Sequence, residues 1–147
     1  MNKLIRYFPI LLVFVTAIGW APSVHAAERV QVILVQADNS GQGVEGSLKP
    51  YAGNLQQLLN FNTYRQVARK GIQLDVPGEG SASLPGGQTL LVKAGSQDGP
   101  AIIAEVTWMR GNKRLVHTRI QLRKGTPAVI GGPRGGDGPL LVILELE

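Results

Sequence analysis

Residues 101–124 read AIIAEVTWMRGNKRLVHTRIQLRK. Apolar and polar residues alternate on both sides of Gly111, Asn112 and Lys113, the pattern of two strands joined by a tight turn. Successive side chains of a strand point to opposite faces. Ile102, Ala104, Val106 and Trp108 therefore share one face of the first arm, and Val116, Thr118, Ile120 and Leu122 share one face of the second. A three-residue loop over 111–113 sets Arg110 against Arg114. It also lays Trp108 on Val116, Val106 on Thr118, Ala104 on Ile120 and Ile102 on Leu122. A two-residue Gly-Asn loop would oppose Val106 to His117 and Ala104 to Arg119, and one residue of slip flips a whole face. The pattern selects the longer loop. The same register pairs Glu105 with Arg119 across the strands, an ion pair worth roughly 0.2–1 kcal/mol.

Working outward, the chain's start carries a processing signal. Lys3 and Arg6 precede an apolar run from Phe8 to Trp20, followed by APSVHA with Val24 and Ala26 suited to a cut after Ala26. A basic region, a short apolar region and a small-residue site make a secretory signal peptide. The run is shorter than the roughly 18 residues of a membrane span. The expected division is thus a cleaved leader, residues 1–26, and a single β-rich domain, residues 27–147, with no membrane span after cleavage. The expected location is the periplasm or the cell exterior. The chain has no cysteine, so burial of apolar surface must supply its stability. Its net charge of +5 falls to +3 once Lys3 and Arg6 are removed, 13 basic residues then standing against 10 acidic ones. Export and modest charge together argue against a nucleic-acid partner.

Within residues 28–37, ERVQVILVQA, both faces are apolar: Val30, Val32 and Leu34 on one, Ile33 and Val35 on the other. Such a strand is covered on each side. A polar loop follows over 38–46, without the D-x-[DN]-x-[DN]-G spacing of a calcium loop. One helix over about 48–60 has Ser47 as N-cap, Pro50 in its first turn, and a stripe of Leu48, Tyr51, Ala52, Leu55, Leu58 and Leu59 to cover the sheet. Strands are expected over 63–69 and 72–76, interrupted at Gly71. A turn over 77–80, strands over 81–84 and 88–94 around Pro85-Gly86-Gly87, and strands over 126–130 and 139–146 complete the pattern. The fold class that follows is mainly β: an antiparallel β-sandwich or partly closed barrel of about 8–9 short strands with one covering helix.

The residues offer little catalytic chemistry. His117 is the only histidine after the leader, so a His/Cys zinc site or three-histidine site cannot be assembled from this chain. No nucleophile-elbow sequence surrounds Ser81, Ser83 or Ser96, the candidate partners of His117 in a triad. Glu105 is the most interesting carboxylate, but its neighbour Arg119 suits an ion pair better than a general acid. The segment GGPRGGDG over 131–138 lacks the Walker and dinucleotide spacings and leads into a strand; it reads as a tight connection. No catalytic, metal or cofactor site is expected.

A surface remains. His117, Arg119, Gln121 and Arg123 lie on the polar face of the second arm, with Arg110, Lys113 and Arg114 at the turn and Lys124 beyond. Such a basic stripe, with Met109 and Leu115 beside it, suits an acidic partner. The expected function is an exported, non-catalytic β-domain that binds another cell-envelope component, foremost a protein. The partner-binding residues would be Arg110, Lys113, Arg114, His117, Arg119 and Arg123. The alternative is an acidic glycan or lipid headgroup on the same face, and the third reading is a hydrolase using carboxylates alone.

Overall fold

A computed structural model describes Gly19 and residues 26–135 and 138–147; the expected leader lies outside these apart from Gly19 and Ala26. Nine strands among them form two stacked sheets. The first sheet takes β1 (Ala26–Asp38), β2 (Gly43–Val44), β3 (Thr63–Val76), β8 (Ala128–Gly135) and β9 (Gly138–Leu146), in the order β2-β3-β1-β9-β8. The second takes β4 (Gly78–Leu84), β5 (Gln88–Asp98), β6 (Ala101–Arg110) and β7 (Lys113–Arg123), in sequence order. All pairings are antiparallel except the short β2–β3 contact. The fold is a β-sandwich with one covering helical segment. At one corner the sheets touch through a bridge between Lys124 and Leu146.

β1 is interior because its side chains are apolar in both directions. Val30, Val32 and Leu34 join the core between the sheets, with Leu90, Val92, Val106, Trp108, Leu122, Val142 and Leu144. Ile33, Val35 and Ala37 face the other way, into a second cluster with Leu48, Tyr51, Leu55 and Tyr64. β9 divides its residues similarly, and it lies between β1 and β8 rather than at an edge.

The covering segment is a 3-10 helix, Gly46–Tyr51, continued by α1 (Ala52–Leu58). It starts two residues earlier than expected, and Ser47 does not cap it: Glu45 precedes the 3-10 turn and no side chain makes a cap hydrogen bond. Leu48, Tyr51 and Leu55 are buried, whereas Leu58 is 65% exposed. The reason lies at the C-terminus, where Leu59 leaves the helix in an extended conformation and packs into the cluster instead. The hydroxyl of Tyr51 donates to the Glu145 carboxylate of β9, tying helix to sheet. Burial, and then this carboxylate, push the Tyr51 phenol up to about 12.

The 101–124 hairpin keeps its expected register from Ala101 opposite Arg123 through Trp108 opposite Val116. The turn itself differs. Met109 pairs with Arg114 and Arg110 with Lys113, so the loop has two residues, Gly111 and Asn112, and the ladder slips beyond Trp108. Gly111 has φ +58°, while no residue other than glycine has positive φ among those described, as in a type II′ connection. A bulge at Leu115 absorbs the extra residue and restores the apolar face. Leu115 is consequently half-buried against the core rather than an exposed contact residue.

Gly71 does not interrupt β3, because pairing with Gln31 of β1 carries the ladder through it. The expected turn at Pro77 is instead a corner, from which the chain passes from β3 in one sheet to β4 in the other.

Candidate functional site

β7 is an edge strand of the four-stranded sheet, and its outward residues follow from alternation. Lys113, Arg114, His117, Arg119, Gln121 and Arg123 are exposed, as is Arg110 on β6 beside the turn. The fold thus gathers the expected residues on one border of one sheet. It does not leave them as an uninterrupted positive stripe. Pairing aligns Glu79 with Lys93, Lys93 with Glu105, and Glu105 with Arg119, a row of alternating sign across all four strands. The Arg119 guanidinium stands 3.8 Å from the Glu105 carboxylate, with the Arg119 side chain 73% exposed. At that exposure the pair is worth roughly 0.2–1 kcal/mol. The next row runs Ser81, Leu91, Thr107, His117, and Thr107 Oγ1 lies 2.9 Å from His117 Nδ1. Leu91 is 43% exposed in the middle of this face. Alternation in TLLVKA places it outward beside Lys93, so its exposure is legible in the local sequence.

Arg123 separates from the group. At the end of β7 it lines a cleft of about 530 Å³ together with Glu28, Gln97, Ile102, Lys124 and Leu146. Ile102 and Leu146 are core residues that back the cleft with almost no exposed surface, and Gln97 and Thr126 add polar groups to its lining. Lys124 stands 3.8 Å from the Glu28 carboxylate. These residues come from the ends of β1, β5, β6, β7 and β9, so no sequence neighbourhood signals the cleft.

At another loop cluster, Asp38 accepts a hydrogen bond from the Ser40 amide at 2.8 Å and pairs with Arg65 at 2.7 Å. Thr63, fully buried, accepts from Gln42 N at 2.8 Å. Hydrogen bonding to the Ser40 side chain and amide, helped by Arg65, holds the Asp38 carboxyl below the ordinary carboxylate value. A group whose folded value is depressed contributes stability that is complete above the unfolded value and lost as pH falls through the folded one. Asp38→Asn is therefore expected to unfold at lower urea than the parent at pH 7, with the difference shrinking below about pH 4. Urea midpoints of both proteins at pH 7 and pH 3 check this; a gap that stays constant would show that ionised Asp38 does not stabilise the fold.

The GGPRGGDG segment differs from the expected loop: ladder pairing with β9 carries β8 through Gly135, Gly138 already belongs to β9, and residues 136–137 lie outside the described residues. Two of its glycines have steric duties. A methyl built on Gly132 would overlap the six-membered ring of Trp108, and one on Gly138 would overlap the carbonyl oxygen of Ala37. Close packing accounts for both without a phosphate. Among the described residues no three His, Asp or Glu side chains converge as a metal site would require, and no helix is long and apolar enough to cross a membrane.

Comparison with protein-family models, with characterised proteins and with solved structures finds no match for this chain.

Proposed function

We propose that this chain is an exported, non-catalytic β-sandwich that serves as an accessory subunit, docking another cell-envelope protein through the basic border of its four-stranded sheet. The observation that carries the reading is the position of β7. It is an edge strand holding Lys113, Arg114 and Arg119 along the border, with no carboxylate of its own. An edge presents unpaired backbone groups, and like charges along it keep identical copies apart. An acidic strand or surface neutralises those charges while satisfying the backbone.

The alternating row from Glu79 to Arg119 favours a protein over an anionic glycan or lipid surface. A uniformly negative surface meets two carboxylates on that face, whereas a protein can match both signs. The non-catalytic part of the reading is supported by the carboxylates themselves. Glu105 pairs with Arg119 on an open sheet face, and Asp38 is committed to Ser40 and Arg65.

A membrane-impermeant amine crosslinker applied to intact cells is expected to capture one discrete envelope protein. Recovery should fall more than about tenfold for the double variant Arg114→Glu/Arg119→Glu, since opposed like charges cost several kcal/mol. Capture that survives charge reversal would reject this border as the docking surface. Steeply salt-dependent binding of the purified protein to acidic polysaccharide or anionic vesicles, without a protein partner, would transfer the assignment to the glycan or lipid reading.

A further inference from the structure

We propose that the open face of the four-stranded sheet binds a second copy of this chain, the two sheets stacking about a twofold axis that runs along the strands between β5 and β6. This goes beyond the docking reading, which concerns the β7 edge, and does not rest on it. The two surfaces meet at Arg119.

The first support is that no described element covers this face. The helical segment lies on the five-stranded sheet, where Leu48, Tyr51 and Leu55 pack with Ile33, Val35 and Ile143. In the four-stranded sheet Leu90, Val92, Val106 and Trp108 turn inward to the core, so alternation sends Leu91, Lys93, Glu105 and Thr107 to the open side. Leu91 is 43% exposed there, an apolar side chain in the middle of a face whose next row is charged. Apolar contacts beside a polar rim are the anatomy of a protein–protein contact.

The second support is the order of the charges. From β4 to β7 one row reads Glu79, Lys93, Glu105, Arg119, alternating in sign across the sheet. A twofold axis along the strands reverses the strand order in the second copy and keeps the height of each row. Glu79 then faces the second copy's Arg119 and Lys93 faces its Glu105, so every charge of the row meets the opposite sign. A twofold axis across the strands keeps the order and sets each charge against itself. The row is therefore self-complementary under one symmetry and self-repelling under the other. Stacked sheets lie about 10 Å apart at an angle of about 30°, a gap that Lys, Glu and Arg side chains span from both sides. The neighbouring rows bring no like charges together. Ser81, Leu91, Thr107, His117 sets Leu91 on Thr107, and Ser83, Thr89, Met109, Arg114 sets Met109 on Thr89. The shared area is small. β4 has 7 residues, and strand spacing and rise give a footprint of roughly 19 by 24 Å on each copy, the size of a weak and reversible contact.

The test is sedimentation velocity of the protein, in the form that producing cells accumulate, at low salt and at about 5–500 μM, the range suited to a small interface. The parent is expected to pass from monomer to dimer across this range. Lys93→Glu and Glu105→Lys should each weaken the dimer at least about tenfold, because each sets two pairs of like charges across the axis. An equimolar mixture of the two variants should recover the parent affinity. The acid introduced at position 93 of one chain meets the base introduced at position 105 of the other, and the unaltered Glu105 of the first meets the unaltered Lys93 of the second. Mixing cannot repair a misfolded chain, so recovery reports on the contact alone. A parent that stays monomeric, a dimer indifferent to both variants, or a mixture that associates no better than either variant alone would each overturn the proposal. All three leave the docking reading standing, since that is decided by which envelope protein the crosslinker captures.

Discussion

Trp108→Ala is expected to lower the unfolding free energy by about 3–5 kcal/mol, the cost of removing a large buried aromatic side chain. Trp108 is fully buried and heads the largest such side chains of the core. It sits on β6, an inner strand of its sheet, opposite Leu90 on β5 and Val116 on β7. Its indole N–H donates to Gln88 Oε1 at 2.8 Å. The substitution therefore opens a cavity and strips a nearly buried amide oxygen of its donor, the second effect alone being worth about 1–3 kcal/mol. Trp108→Phe separates the two contributions, since it keeps most of the ring volume and loses only the hydrogen bond and some contact area. Urea denaturation of the three proteins measures both steps. A loss below about 1 kcal/mol for the alanine variant would contradict the packing described for this site.

Gly132→Ala should cost about 1–3 kcal/mol or more, although strand propensity by itself favours alanine over glycine. The opposite sign arises because the backbone of Gly132 lies against the Trp108 ring, where a methyl would overlap three of its carbons. The two substitutions are therefore expected to couple. In a Trp108→Ala background the overlapping atoms are gone, and the penalty of Gly132→Ala should fall by at least about 1 kcal/mol. A double-mutant cycle by urea denaturation measures this coupling. An unchanged penalty would mean that Gly132 is required for another reason, such as the ladder irregularity between Gly131 and Arg134.

The two results bear on how much of this molecule a linear reading reaches. Alternation placed Trp108, Val106, Ala104 and Ile102 on one face, and all four are in the core between the sheets. It did not reach the bulge beyond Trp108. A tight turn and an apolar register make conflicting demands on the number of residues between the strands, and the chain satisfies both by leaving Leu115 unpaired. In the GGPRGGDG segment the glycines suggested a loop, whereas pairing with β9 extends β8 through Gly135. The partner of Gly132 was not legible either, since Trp108 lies 24 positions earlier in the chain. The candidate border divides in the same way. The cations of β7 were visible in order, whereas the row Glu79, Lys93, Glu105, Arg119 exists only once three strand pairings align it.

The hairpin register, the two-faced first strand and the mainly β class were already decided by the order of residues, because side-chain parity along a strand is a local property and burial of the apolar face enforces it. The neighbours of each strand, the edge position of β7 and the cleft were decided by packing. Glu28, Ile102, Arg123 and Leu146 meet there because stacking two sheets brings distant strand ends to one corner. Nothing in the residues adjacent to any one of them foretells the other three.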